Sequence, residues 1–314
     1  MPRTPRHPQA DLAANIDAWV NHVDDTLHER TVAIYGKAAR TLQTFLETQG
    51  VTSTRSITRR NLEGFYAFLR DDKGWAPATI NQTHRALKQF FDYLLDEKEL
   101  TESPMKHIKP PRIPETVHPT VTSQMQRKLL ATVRPSTTFA GRRATAILSL
   151  FYDTGVRRGE MAGLKLDDID WANRRLIVTG KAGKQRVVAF GRKTASHLKR
   201  YEIERTRWVN ERRRRERYAD NPWLWMGEQG PMTIYGIEDT VKAAAKAAGH
   251  PDLTCHAYRR GWTHEQIMLG TDAGAIAHLA GWNSIQMVDH YAKATKASRA
   301  LETYRSPMDR LDGS

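Results

Sequence analysis

Cysteine is almost absent from this chain: Cys255 is the only one in 314 residues. A single thiol excludes an intramolecular disulfide and any cysteine-based zinc cluster. Long apolar runs are also missing. None approaches the roughly 18 residues that would make a membrane-spanning helix a candidate, so a membrane partner is not expected. The N-terminus has no charged–apolar–small signal pattern. There is no P-loop and no obvious carboxylate cluster to hold magnesium. What the chain does have is positive charge. Lys and Arg number 49 against 35 Asp and Glu, a formal net charge of +14. Such an excess predicts a polyanionic partner, because these side chains displace counterions from a phosphate backbone. With 39% hydrophobic and 27% charged residues, the composition is globular, and the length suits two ordinary domains. The combination points to a cytoplasmic protein working on nucleic acid.

Residues 1–10 hold three prolines and two arginines and read as a loose basic arm. Four helical patterns follow and define an N-terminal domain over 11–103. The first runs over 12–23. The second places Tyr35, Ala38, Leu42, Phe45 and Leu46 at helical spacing, with Gly50 to end it. The third carries Leu62, Phe65, Tyr66 and Leu69. The fourth starts near Pro77, a favoured first helical position, and carries Ile80, His84, Leu87, Phe91 and Leu94. Short amphipathic helices of this kind bundle. Thr79, Arg85 and Lys88 lie off the apolar stripe, where they either meet phosphate or form a solvated face. Over 104–119 there are five prolines with Lys106, Lys109 and Arg112, which reads as an extended linker. A basic linker suits a protein that wraps DNA; a plain domain boundary fits the composition equally well.

The second domain, 120–314, opens with helical patterns near 123–133 and 142–152. Three short strands are expected at 164–170, 174–179 and 186–190, with Leu176, Ile177, Val178, Val187 and Val188 as their apolar core. Gly180-Lys181-Ala182-Gly183-Lys184 forms the hairpin loop between the last two. A charge-dense helix over 199–217 includes Glu211 and Arg215 at i, i+4 and reads as a solvated surface helix. Residues 223–226 look buried. An alanine-rich helix spans 237–248, Gly249 ends it, and Thr254 caps the next. Near the C-terminus, Asn283 and Ser284 can cap a helix start. Ile285, Val288 and Ala292 then form a stripe that would anchor a short helix carrying Tyr291.

Individually the chemical motifs are weak. Thr-Gly-x-Arg, a lysine turn and His-x-x-Arg each occur often by chance, and Tyr291 alone would more often be a core tyrosine. Their ordered combination is rarer: TGVRRGE (154–160), GKAGK (180–184), HAYRRG (256–261) and AGWNSIQMVDHY (280–291). This order resembles the tyrosine recombinase (phage integrase) family, of the simple two-domain Xer/Cre-like type. The resemblance spans the second domain, and the four-helix first domain and proline linker are similar to that family's core-binding domain. It implies a mainly α fold with a small antiparallel β-sheet: an N-terminal SAM-like helical bundle, then an α+β catalytic domain. Position by position, it implies Arg157 and Arg259 as the phosphate-binding arginines and Glu160 as their acidic neighbour. Lys181 takes the hairpin lysine, with Lys184 as its rival. His256 takes the paired motif, Trp282 a position usually histidine, and Tyr291 the nucleophile. Arg260 stands where histidine is common and His264 where a small polar residue is common; both flank the site.

The chemistry is coherent in its own terms. A phosphodiester gains negative charge toward its transition state, and arginines supply paired donors to the non-bridging oxygens. A tyrosine of ordinary pKa, about 10, must lose its proton as it attacks; His256 can accept that proton, and Lys181 can protonate the leaving 5′ oxygen. No metal, cofactor or ATP is required. The resemblance further implies a double-stranded DNA recombination site as partner and a Holliday junction intermediate. It implies a homotetramer on two DNA sites, with a C-terminal tail docking on a neighbouring protomer, and a location at the prokaryotic nucleoid. A relaxing type IB-like topoisomerase and a non-catalytic DNA-binding protein of the same fold are the alternatives. The sequence does not choose among phage integration, chromosome dimer resolution and transposition.

Overall fold

A computed structural model of the chain describes residues 11–114, 119–133, 137–180, 183–212, 218, 221–289, 291 and 304. The chain divides into two units, Met1–Thr116 and Val117–Ser314. Among the described residues no helix is long and apolar enough to cross a membrane.

The first unit is built from α1 (Leu12–Asp24), α2 (Glu29–Glu47), α3 (Arg59–Asp71) and α4 (Pro77–Asp96). Local chemistry sets their starts. The Asp11 carboxylate accepts from the Ala13 N–H at 3.0 Å, satisfying a donor that the first helical turn leaves unpaired. Thr58 and Asn61 cap α3 reciprocally: Asn61 N–H donates to the Thr58 hydroxyl and Thr58 N–H to the Asn61 side chain. Pro77 occupies the first turn of α4. The apolar stripes meet in one core holding Trp19, Leu42, Phe65, Phe90 and Phe91. Met105 is buried in the same core, so the start of the proline-rich stretch packs with this unit, and residues 104–107 turn rather than extend.

In the second unit α6 (Phe139–Thr154) is the central helix, with every residue from Thr145 to Phe151 buried. Around it lie α5 (Ser123–Val133), α8 (Arg192–Arg212), α9 (Ile234–Ala247) and α10 (Cys255–Met268). A short α7 (Arg158–Ala162) follows α6, and α11 (Ala273–Ala280) follows α10. Strands β1 (Ile169–Asp170), β2 (Arg175–Thr179) and β3 (Gln185–Ala189) form an antiparallel sheet in the order β1-β2-β3. A two-stranded ribbon joins β4 (Met226–Gly227) to β5 (Gly230–Pro231).

Several expectations need correction. The strand expected over 164–170 shrinks to two residues, because the Asp168 side chain accepts from Lys165 N–H and closes a 3-10 turn over Leu166–Asp168. Leu176, Val178 and Val188 are buried, but Ile177 and Val187 are exposed. They pair across β2 and β3, and strand alternation sends that pair to the outer face. The charge-dense helix is not wholly solvated. Arg205 is buried, and its guanidinium donates to the carbonyls of Asn221, Trp223 and Leu224, which loop back over α8. Residues 213–217, with the expected Glu211–Arg215 pair, lie outside the described residues. Trp223 is only partly buried, while Leu224, Trp225 and Met226 are buried. Ile285 is exposed and precedes the helical residues 286–289; Val288 of the expected stripe is buried, and Ala292 lies outside the described residues.

Candidate active site

Two helix ends bring the site's backbone together. At the end of α6, Gly155 turns the chain in the left-handed region (φ 58°) toward Arg157. A Cβ there would lie 2.7 Å from the Trp262 ring, so this position needs glycine for conformation and for space. At the end of α11, Gly281 turns likewise (φ 65°) into Trp282.

Three arginines converge on that second end. Arg186 Nε donates to Leu279 O at 2.7 Å, Arg259 Nη2 to Ala280 O at 2.5 Å, and Arg157 Nη2 to Gly281 O at 2.9 Å. Three successive carbonyls at a helix C-terminus thus each receive one guanidinium. The negative end of the helix dipole favours such cations. Arg259 is 1% exposed and also donates to Gly155 O at 2.9 Å, so it ties the two helix ends together. Burial, then the neighbouring Arg157 charge, lowers its pKa to about 10, which leaves it a cation at neutral pH.

Glu160 is the hub of the cationic cluster. It is buried and its two oxygens accept from four N–H groups. Arg157 donates through its backbone at 2.7 Å and Nη1 at 2.8 Å. Arg186 donates through Nη1 and Nη2 at 2.8 Å each. Burial by itself raises the carboxyl pKa, but the bonds from Arg186 and Arg157 outweigh it, and the net value falls from 4.5 to about 2. Glu160 therefore orients Arg157, and its other partner among the described residues is Arg186. Arg157 keeps a side chain 42% exposed, so it faces outward while its inner edge is held.

On the tyrosine side, His256 Nε2 and the Tyr291 phenol oxygen share a hydrogen bond of 2.9 Å. Trp282 stacks on the Tyr291 ring, with centroids 5.0 Å apart and planes 13° from parallel. The Arg259 guanidinium lies over Trp282 at 4.8 Å. One contact chain thus runs from Tyr291 through Trp282 to Arg259, and a second joins Arg157, Glu160 and Arg186. His256 is exposed and Trp282 partly buried, so the phenol sits where a large ligand can reach it. Arg260 donates to Pro119 O at 2.8 Å.

Lys181, the expected hairpin lysine, lies outside the described residues. Its rival Lys184 is exposed, and its carbonyl accepts from Gly180 N–H at 2.7 Å. Thr79, Arg85 and Lys88 are exposed on α4, with Lys88 paired to Asp92 at 3.0 Å. Among the described residues no group of three or more His, Cys, Asp or Glu is placed to hold a metal ion. Cys255 is buried, which pushes its thiol pKa up to about 11. Sequence reasoning missed Arg186. Its only signal was an arginine beside an apolar pair on a strand, which reads as an outward-facing residue.

An arginine cluster around one carboxylate, beside a tyrosine bonded to histidine, is a site for anionic ester chemistry. Comparison with known proteins agrees. Residues 120–298 match the phage integrase family, and residues 20–100 match the phage integrase N-terminal SAM-like domain. The chain belongs to the phage integrase family, the tyrosine recombinases. Tyrosine recombinase XerD from Listeria innocua serovar 6a is 26% identical over 286 residues, 90% of this chain and 94% of that protein. XerH site-specific recombinase bound to palindromic difH substrate has a similar fold, with TM-score 0.68 and 18% identity over 86% of this chain and 78% of that one. So has a lambda integrase tetramer bound to a Holliday junction, with TM-score 0.67 and 14% identity over 90% and 77%.

Proposed function

We propose that this chain is a site-specific recombinase that cuts and rejoins duplex DNA through a 3′-phosphotyrosine, with Tyr291 as nucleophile. The observation that carries the assignment is the 2.9 Å hydrogen bond between Tyr291 and His256 Nε2 beside the Arg157–Glu160–Arg186 cluster. The Tyr291 oxygen attacks the scissile phosphorus and its proton passes to His256. Charge growing on the non-bridging oxygens is met by Arg157, whose side chain is part exposed, and by the charge of the buried Arg259 behind it, both held in place before substrate arrives. Trp282 holds the Tyr291 ring by stacking. The bond from phosphorus to the 5′ oxygen breaks, and Lys181 protonates that oxygen. A free 5′ hydroxyl and a tyrosyl phosphodiester result. Because the ester bond is exchanged rather than hydrolysed, a partner strand's 5′ hydroxyl can reverse the step without ATP.

Two rounds on two duplexes pass through a Holliday junction and need four protomers, as in the lambda integrase tetramer bound to a Holliday junction. On this reading Thr79, Arg85, Lys88 and Lys184 contact the DNA backbone, and the protein works at the prokaryotic nucleoid. The proline-rich stretch 104–119 joins a DNA-gripping helical domain to the catalytic domain, with its first residues packed on the helical domain.

The test is covalent capture. Wild-type protein is incubated with fragmented genomic DNA under denaturing quench, and the attached DNA is sequenced and rebuilt as a nicked suicide duplex. The wild type should form the adduct, and Tyr291→Phe should bind the duplex with unchanged affinity and form none. An adduct with the Phe variant would place the nucleophile elsewhere. A wild type that relaxes supercoils without exchanging strands would turn the reading toward a topoisomerase.

A further inference from the structure

Arg186 lies near the start of β3, just past the hairpin turn. Its guanidinium is engaged on two edges: Nη1 and Nη2 on the Glu160 oxygens at 2.8 Å, and Nε on Leu279 O at 2.7 Å. Its side chain is 8% exposed, so all three nitrogens face protein. We propose that Arg186 is a positioning residue of the strand-cleavage reaction, locking Glu160 so that Arg157 presents its outer N–H groups to the scissile phosphate and anchoring the end of α11 from which the tyrosine segment departs.

Geometry supports both halves. A carboxylate held by one arginine can rotate about its terminal torsion, which is soft; a second fork on its other edge removes that freedom. Arg157 Nη1 is bonded to Glu160 Oε1, the same oxygen that Arg186 Nη1 holds, so a turned carboxylate carries Arg157 with it. Nε fixes Leu279 O, two residues before the carbonyl that Arg157 itself bonds. Because β3 leads directly out of the 180–184 turn, the same side chain also fixes the base of the hairpin relative to the arginines. A displacement of about 1 Å in groups that act on a transition state can slow a reaction about 10²-fold.

The inference rests on the recombinase reading, and its test uses full-length protein on the suicide duplex that the wild type traps. A wild type that forms no adduct overturns that reading first. Given an adduct, single-turnover cleavage by Arg186→Gln should be about 10²-fold slower, with DNA affinity within a few-fold of wild type. Adding Arg186→Gln to Glu160→Gln should slow cleavage by much less than Arg186→Gln does in the wild type, because most of its effect passes through Glu160 and only the Leu279 bond remains to be lost. The duplex is then remade with a methylphosphonate at the scissile position. That group lacks the negative charge Arg157 neutralises, so the gap between variant and wild type should narrow. An equal loss on both substrates would reduce Arg186 to a folding residue and overturn the proposal, as would wild-type cleavage by Arg186→Gln. If Arg186→Gln does not fold, Arg186→Lys carries the same test. It keeps the charge, but its three donors share one nitrogen and cannot span Glu160 and Leu279 together. It should cleave the phosphodiester slower than wild type and recover on the methylphosphonate; wild-type rates on the phosphodiester would overturn the proposal.

Discussion

Replacing Glu160 by Gln removes the negative charge at the hub while keeping its shape. The wild-type carboxyl falls from 4.5 to about 2 on folding, because the bonds from Arg186 and Arg157 outweigh burial. At about 1.4 kcal/mol per tenfold change in proton affinity, that shift corresponds to about 3 kcal/mol of pH-dependent stability. The amide also turns N–H donors toward guanidinium donors, and breaking a buried pair by removing one partner costs about 3–5 kcal/mol. For a unit the size of Val117–Ser314, each kcal/mol moves the Tm by about 2–4 °C, so Glu160→Gln should melt roughly 6–20 °C below wild type at pH 7. The pH dependence carries the sign. A group whose pKa is lowered by folding contributes in full above its unfolded value and loses that contribution as pH falls through its folded value. The stability difference between wild type and variant should therefore be constant above pH 4.5 and shrink as pH falls from there toward 2. Urea unfolding of both proteins across that range, followed by tryptophan fluorescence, reads it directly. A difference that stays the same at pH 7 and pH 2.5 would mean that the four hydrogen bonds do not hold a carboxylate, and the account of the hub would be wrong.

Gly155→Ala should destabilise the second unit by about 1–3 kcal/mol, since its Cβ would lie 2.7 Å from the Trp262 ring at a positive φ; a Tm within 1 °C of wild type would contradict this. Lys181→Ala should slow cleavage of ordinary DNA about 10²–10⁴-fold and recover on a duplex whose 5′ bridging oxygen is sulfur, while Arg259→Ala should not recover. Rescue of Lys184→Ala instead would move the general acid along the hairpin, and equal loss on both substrates would leave Lys181 a mere backbone contact. Chelation with EDTA should leave suicide cleavage nearly unchanged, because the arginines supply the charge neutralisation that metals provide elsewhere; cleavage lost with EDTA and restored by magnesium would reveal a metal requirement.

The chain by itself determined its longer helices, its central hairpin and the inventory of its chemistry. Local rules act over a few residues, so the apolar spacing of Leu62, Phe65 and Leu69, the first-turn Pro77 and the terminating Gly50 could be read directly, and each lies where an α-helix begins, packs or ends. The order of the arginine, lysine, His-x-x-Arg and tyrosine motifs was equally readable, because order along a chain is what a sequence records. Tertiary structure alone decided how those groups are held. Arg186 lies 26 residues from Glu160 and 93 from Leu279, and Arg157 lies 124 from Gly281, so no local pattern announces their bonds. The faces were undecided for the same reason. Ile177 and Ile285 are as apolar as any core residue, and only strand register and the start of the last helical segment turn them toward solvent. Arg205 and Arg259, the most polar of side chains, are buried because backbone carbonyls at distant loop and helix ends satisfy their donors, and carbonyls leave no trace in the identity of the residues that carry them.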